Sequence, residues 1–557
     1  MDGVRENAGG LQGLKWVVVL AVCVFAARMA SLVFGGLELA ADEAQYWDWS
    51  RHLSLSYYSK GPGVAWVIWL STQAFGHAEW AVRLPSAIAG ALTVVLVGGF
   101  AARVSPPRKS QSARAVWSAG VAACVTPALL VPGSFMTIDS PYIACWIAAA
   151  WLGWEVLRRE HRGKSAVWLS VALGVVLGVG FLFKYTMLLI VPGLLIAVLV
   201  RGRPRWTRAT TVHALVATGA FVVVSLPVVI WNAQHGWPTV AHLLGHLRLA
   251  GGDMPVERGD GAGWSAWWAA EYVLSQVGMA GPMIVIMALA CWGAVRGRIA
   301  GEDDGDERGR WADVYCVCVS VPIFAVYLGV SLMTKVQGNW PIAGYAALCI
   351  PAGRLVAAEM ERYRKMVARW REDPMRPRMG LLRRKPETAV QVLWHWSIGY
   401  GIAAGIGLML LGWVGSLPLV REVVPMHRLS GERERAEALG RIIRDEIGED
   451  ASGTLVIGAR YTHAALMAYY LHGVFGDGEG PTVGSAAAYL GERESSYDYW
   501  EETDLMRERW MGTTVFLVGL RPERWERAFV FERIETVDEE RHLHMGRGYA
   551  GAREQGP

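Results

Sequence analysis

Trp16-Val-Val-Val-Leu-Ala-Val-Cys-Val-Phe-Ala-Ala-Arg-Met-Ala-Ser-Leu-Val-Phe34 is long and apolar enough to cross a bilayer. Immediately beyond it stands Glu38-Leu-Ala-Ala-Asp42-Glu43-Ala-Gln-Tyr46-Trp47-Asp48-Trp49. Adjacent carboxylates at a membrane boundary are costly to keep there. The aromatic residues that follow suit a membrane–water interface. A carboxylate in that position is suited to taking a proton from an acceptor hydroxyl.

The rest of the chain repeats the pattern. Of 557 residues, 53% are hydrophobic and only 19% charged, against about 25% charged in an ordinary soluble protein. Apolar runs are expected as spans near 16–36, 84–102, 115–133, 138–157, 166–182, 185–200, 211–231, 272–295, 312–332, 340–358 and 394–416. The fold class expected is therefore mainly α, a polytopic helical bundle of about eleven spans. The apolar stretch 61–75 is too short to cross and reads as an interfacial helix. A cleaved leader ending at Ala40-Ala41 is the weaker reading, because the apolar run is longer than a leader's core.

Charge is distributed unevenly. Residues 1–420 hold 37 Lys and Arg against 25 Asp and Glu, whereas residues 421–557 hold 17 against 25. The basic excess lies in short loops: Arg103 to Arg114, Arg158 to Lys164, Arg201 to Arg208, Arg296 to Arg310, and the segment 359–388. Excess Lys and Arg marks cytoplasmic loops, so the N-terminus is expected inside and the C-terminal region outside. This patterning reports topology and excludes nucleic acid as the partner. All seven cysteines lie in apolar segments, so no disulfide framework is expected. The acidic run 301–306 reads as a solvated loop.

Beyond Pro425 the composition changes to that of a soluble domain. Glu432 to Ile447 has the period of an amphipathic helix, 454–458 and 513–519 read as short strands, and His463 to Leu471 as a helix. The expected organisation is a transmembrane domain over 1–420 and a small α/β extracytoplasmic domain over 421–557. The end from Arg541 is expected to be mobile.

On this topology the chemically able residues fall on one side. Asp42, Glu43, Tyr58 and Lys60 occupy the first outer loop, and Asp139 the second outer turn. Lys184 lies between two apolar runs. Asn232, Gln234 and His235 open the next outer loop, and Lys335 and Asn339 fill the one after. Ionisable groups at span ends facing one side point to a single outer cavity. Each has a plainer reading. Asp139 before Ser140-Pro141 suits a helix N-cap, and Lys184 can snorkel to the interface. Asn232 and Gln234 suit a turn, and Asp42-Glu43 a solvated loop. His242 and His246 are spaced i, i+4, but no Glu accompanies them as in a zincin motif, so no metal site is assigned.

Glycosyl transfer from a lipid phosphate, whose leaving group is already activated, needs no nucleotide-binding loop, and no Gly-rich loop or Walker lysine is visible. A polyprenyl-phosphate sugar is such a donor. It requires cations for the departing phosphate, here Lys60, Lys184 and Lys335, and a base for the acceptor, here Asp42.

The ordered set Asp42-Glu-Ala-Gln-Tyr-Trp-Asp-Trp-Ser50, Arg83-Leu-Pro-Ser86, Thr137-Ile-Asp-Ser-Pro141, Gly180-Phe-Leu-Phe-Lys-Tyr-Thr186, Trp231-Asn-Ala-Gln-His-Gly-Trp237 and Gly338-Asn-Trp-Pro341 resembles the C-type, family-39-like bacterial glycosyltransferases. These are related to protein O-mannosyltransferases, the lipid A aminoarabinose transferase and lipopolysaccharide galacturonosyltransferases. Tyr497-Asp-Tyr-Trp500 is similar to a segment of the outer domain in this branch. The resemblance implies Asp42 as general base with inversion at the sugar carbon, Glu43 as its neighbour, and Asp139 as a second acid near the acceptor or a metal. A divalent metal at the outer face is used by some relatives. Lys60-Gly-Pro-Gly63 departs from the family's Lys/His-Pro-Pro. The expected partners are a polyprenyl-phosphate sugar, a cell-envelope acceptor and membrane lipid, in the bacterial inner membrane. The rivals are a flippase of lipid-linked glycan, which favours mid-span polar residues and internal symmetry, a lipid-linked glycan polymerase or ligase, and a non-catalytic scaffold.

Overall fold

A computed structural model describes residues 8–105, 109–200, 206–246, 251–253, 264–297, 307–372, 388–415, 417–424 and 426–553. The basic residues Arg108, Arg201, Arg203, Arg205 and Arg298, the acidic run 301–306 and the stretch 373–387 lie outside them.

The chain opens with α1 (Ala8–Phe34), α2 (Ala41–Arg51), α3 (Gly63–Phe75), α4 (Glu79–Val104), α5 (Lys109–Val125) and α6 (Pro127–Leu130). Next come α7 (Asp139–His161), α8 (Val167–Phe183), α9 (Ile190–Val200), α10 (Arg208–Gln234) and α11 (Pro238–His246). They are followed by α12 (Ala266–Ala280), α13 (Met283–Val295), α14 (Glu307–Ser331), α15 (Gly344–Glu372), α16 (Ala389–Val414) and α17 (Pro418–Val423). The C-terminal part holds α18 (Glu432–Glu446), β1 (Leu455–Gly458), α19 (Tyr461–Phe475), β2 (Thr482–Ser485), β3 (Val515–Val518), α20 (Pro522–Ala528), β4 (Arg533–Asp538) and β5 (Leu543–Arg547).

Every expected span lies largely on helix, yet the count of eleven is not confirmed. Among the described residues, five helices are long and apolar enough to cross a membrane: α1, α4, α10, α14 and α16. The number reaches seven if each of two bent pairs is one span. The bends have local causes. Pro127 cannot continue α5, and the axis turns by 74° there. Gly281 adopts φ 59° ahead of Pro282, and α12 turns by 103° into α13. The stretch 61–75, too short to cross, forms a helix over Gly63–Phe75, α3.

The chain divides into two compact units: 1–31, 83–226 and 258–410 in the first, 32–82, 227–257 and 411–557 in the second. In the first unit helices approach closely where side chains are small. A Cβ on Gly353 of α15 would lie 2.5 Å from the Ala119 nitrogen of α5, and one on Gly174 of α8 would lie 2.1 Å from the Ala217 carbonyl oxygen of α10. Such small-residue contacts are how apolar helices associate without a hydrophobic drive. Arg354 and Asp313, both almost fully buried, pair at 2.9 Å within this unit.

The second unit contains a five-stranded sheet of order β2-β1-β3-β5-β4. β1 runs parallel to β2 and β3, with Leu455 opposite Thr482 and Val515. Both β1 and β3 are buried along their whole length, as strands covered on both faces must be. Leu455, Ile457, Leu517, Trp510, Trp525 and Phe529 belong to one core cluster. The expected helices over Glu432–Ile447 and His463–Leu471 and the two expected strands are present. The expectation of a mobile end from Arg541 is wrong. Leu543–Arg547 is β5, antiparallel to β3 on one side and β4 on the other, and Leu543 and Tyr549 are fully buried.

Ending the chain at Glu540 removes that inner strand and opens the edge of β3. Such a truncation should lose the protease resistance of residues 432–540, as read by limited trypsin digestion of the membrane-extracted protein.

Candidate functional site

The candidate residues divide between the two units. In the first, Asp139 is the opening residue of α7 and only 5% exposed. Its Oδ1 accepts from Lys184 Nζ at 2.7 Å and its Oδ2 from Asn339 Nδ2 at 3.1 Å. Its own backbone N–H donates to Thr137 Oγ1. Both carboxylate oxygens thus go to side chains, which is more than helix capping requires. Lys184 ends α8 with its ammonium over the Tyr142 ring at 5.4 Å, so it is held by the acid rather than snorkelling outward. Lys335 does not join them: it is exposed and pairs with Glu271 at 2.8 Å.

In the second unit Asp42 and Glu43 open α2, and the two carboxylates part. Glu43 is buried, and its Oε2 accepts the Ala40 N–H at 3.0 Å, a capping role. Asp42 is exposed and meets the phenol of Tyr461 at the start of α19. Burial first, and the Asp42 charge and hydrogen bond after it, push that phenol well above its ordinary range. α19 packs along α2. The Tyr470 hydroxyl accepts the Leu39 N–H at 2.8 Å, and the Tyr469 ring meets Trp47 edge-on.

Further along the loop the Tyr58 hydroxyl donates to Asp253 Oδ2 at 2.6 Å. The same oxygen takes His242 Nδ1–H at 2.8 Å, and Arg493 lies 3.4 Å from Oδ1. Burial alone would raise Asp253, but Tyr58, His242 and Arg493 outweigh it and hold the acid below its usual range. His242 and His246 are both lowered, His246 to about 4, chiefly by burial, with the cations Lys60 and Arg493 adding to it. Asn232 is committed to structure: it donates to the Val228 carbonyl and accepts the Thr239 N–H. Gln234 is exposed, and His235 stacks on Trp231 at 4.2 Å.

Sequence reasoning missed Asp253, Arg493 and Tyr461. Nothing in their local patterns separates them from surface residues, since each matters only through a partner far away in the chain. It also missed the clamp on α2, where Tyr497 donates to Asp48 Oδ2 at 2.7 Å and His52 meets Glu502 at 3.1 Å.

Two groups bear on metal binding. His77, His472 and Asp477 bring ligand atoms within 4.8 Å of one another. The Trp47 indole N–H, however, donates to His77 Nδ1 at 2.9 Å. That leaves the neutral ring's proton on Nε2, so neither nitrogen offers a lone pair unless this bond breaks. His242 and His246 present Nε2 atoms 3.1 Å apart, and Asp253 orients His242 through its other nitrogen, as carboxylates do behind histidine ligands. This pair fits two ligands of a divalent ion, with no third carboxylate or imidazole in place among the described residues.

Residues 59–231 match the family model of dolichyl-phosphate-mannose-protein mannosyltransferases. The expected resemblance is borne out. The chain is 29% identical over 323 residues to the lipid A galacturonosyltransferase RgtD of Rhizobium johnstonii, covering 58% of this chain and 61% of that one. It is 32% identical over 164 residues, 28% of each chain, to an undecaprenyl phosphate-alpha-4-amino-4-deoxy-L-arabinose arabinosyl transferase of Sodalis glossinidius. The chain therefore spans less than two thirds of these relatives' length. The fold is that of ArnT from Cupriavidus metallidurans, whose apo crystal structure matches with TM-score 0.59 at 15% identity over 96% of this chain and 98% of that one. A crystal structure of that protein bound to undecaprenyl phosphate matches with TM-score 0.58. The chain is an integral membrane protein.

Replacing Asp139 by Asn or Lys184 by Met singly leaves the other charge buried, at a cost of about 3–5 kcal/mol. The double variant should recover much of that loss in thermal unfolding in detergent.

The His52–Glu502 contact carries a pH signature. Burial would lower His52, but Glu502 and Asp48 prevail and raise it above 6.5. Glu502 falls to about 2, chiefly through its hydrogen bond to His52. The contact's stabilisation is complete between about 4.5 and 6.5. It fades as pH rises through the elevated histidine value, and at the acid end as pH falls through about 2. The thermal advantage of wild type over His52→Gln should peak in that window and shrink by pH 8.5.

Proposed function

We propose that this protein transfers a sugar from a polyprenyl-phosphate donor to a cell-envelope acceptor, with Asp42 as the general base. The observation that carries this reading is the state of the two first-loop acids. Glu43 is spent on a cap, whereas Asp42 stays exposed at the start of α2 with a tyrosine donor beside it. A phenol hydrogen-bonded to the carboxylate orients the group for taking a proton. The names of the relatives support the substrate classes: one acts on lipid A, and the arabinosyl transferases take their sugar from undecaprenyl phosphate.

In the proposed reaction the acceptor hydroxyl gives its proton to Asp42 as its oxygen bonds to the anomeric carbon. The bond from that carbon to the phosphate oxygen breaks, and polyprenyl phosphate leaves with the electron pair. Inversion follows from attack opposite the leaving group. Of the lysines considered for the phosphate, Lys184 and Lys335 already face carboxylates. Lys60 lies near Arg493, beside the neutral His242 and His246, and is the lysine proposed for the phosphate. Asp139 with Lys184 and Asn339 is proposed as a preorganised polar cluster within the first unit. The N-terminus is proposed to be cytoplasmic and residues 421–557 extracytoplasmic, in keeping with the basic loops. The functional division is proposed at 420/421.

Asp42→Asn should insert into the membrane and bind donor like wild type, yet lose transfer by at least about a hundredfold. The readout is sugar moved from a labelled polyprenyl-phosphate donor into envelope lipid; transfer near the wild-type rate would remove the assignment.

A further inference from the structure

A cavity of about 430 Å³ opens at one end of α7, α8 and α10, at the opposite end of α7 from Asp139. All of its lining belongs to the first unit. Lys164 and Arg208 stand at its mouth as exposed side chains, and Arg159 and Arg162 precede Lys164 on the same turn. α8 starts inside the cavity at Val167 with no side chain capping it. The first backbone N–H groups of that 17-residue helix therefore carry the positive end of its dipole into the space.

A buried side chain independently points to a ligand. His213, 6% exposed, lines the cavity, and its Nε2 accepts the Ala166 N–H at 3.2 Å. The ring proton of the neutral imidazole is thereby fixed on Nδ1. Nδ1 has no hydrogen-bond partner among the described residues, and the nearest acid oxygen, on Glu160, is 3.7 Å away. Glu160 also lines the cavity: its Oε1 accepts from the hydroxyls of Thr207 and Thr210, and its Oε2 is the oxygen that faces His213. A buried donor without an acceptor costs about 1–3 kcal/mol, which an oxygen ligand would relieve.

The surroundings identify the class of ligand. Trp168 is 84% exposed, and Trp206, Val212 and Leu215 are exposed on the flanking turns. Indole rings beside bare aliphatic faces mark a membrane–water boundary. Basic pockets between spanning helices at that level take phosphate headgroups.

We propose that this cavity seats the phosphodiester of an anionic membrane phospholipid, its acyl chains lying along the exposed faces of α8 and α10. Lys164 and Arg208 supply the charge, and the α8 N-terminus and His213 Nδ1–H supply hydrogen bonds. The site is separate from the transfer chemistry and does not depend on it.

The test uses the purified full chain in nanodiscs of phosphatidylcholine alone or with about 20% of the anionic lipid phosphatidylglycerol. Lipids retained after extraction are counted by native mass spectrometry. Wild type should retain phosphatidylglycerol preferentially, and the Lys164→Ala/Arg208→Ala pair should cut that preference by roughly tenfold. Arg521→Ala/Arg524→Ala, the same charge change on exposed residues of the other unit, should leave it intact. Equal unfolding temperatures in phosphatidylcholine show that the variants fold. Unchanged retention in the Lys164/Arg208 variant would overturn the proposal. So would inorganic phosphate displacing the lipid at millimolar concentration, because that marks a soluble-anion site.

Discussion

Asp139 is a carboxylate at the end of an apolar helix, and everything around it follows from the cost of leaving such a charge unpaired. Its two oxygens draw together the end of α8 through Lys184 and the turn before α15 through Asn339. Three segments up to 200 residues apart in sequence are tied by one side chain. In an interior that offers little water, neither the acid nor the lysine can be removed singly without stranding its partner.

The second unit repeats the device with different chemistry. Asp253 gathers Tyr58, His242 and Arg493, and Asp48 takes Tyr497. Through these contacts, and through the packing of α19 on α2, the C-terminal sheet-bearing part fixes the first loop. Asp42 belongs to that loop, so the proposed base is held by residues more than 400 positions later. On this account the sheet-bearing part is a framework for the reactive loop.

Much of the architecture was legible because hydrophobic period and turn residues are local signals. Trp16–Phe34, the strands over 454–458 and 513–519 and the amphipathic α18 all appear where the pattern puts them. The bends at Pro127 and Gly281-Pro282 were not read, because an apolar run looks the same straight or broken. β2 and β5 escaped because strands of four and five residues, nearly all of them buried, leave no alternation to detect. Among the candidate residues, Asp139, Lys184 and Asn339 were picked out separately, and their meeting is a tertiary fact. Asn232 and Glu43 are more structural than expected, and Lys335 sits apart from Asp139. Asp253, Arg493 and Tyr461 carry no local mark at all.

The most direct measurement of the central claim is a product assay with the full chain in liposomes. A panel of labelled undecaprenyl-phosphate sugars is supplied together with envelope lipid as acceptor. The account predicts that label enters the acceptor while free undecaprenyl phosphate appears one for one. Label that crosses the bilayer still attached to its polyprenyl phosphate, with no free carrier released from any donor, would contradict it.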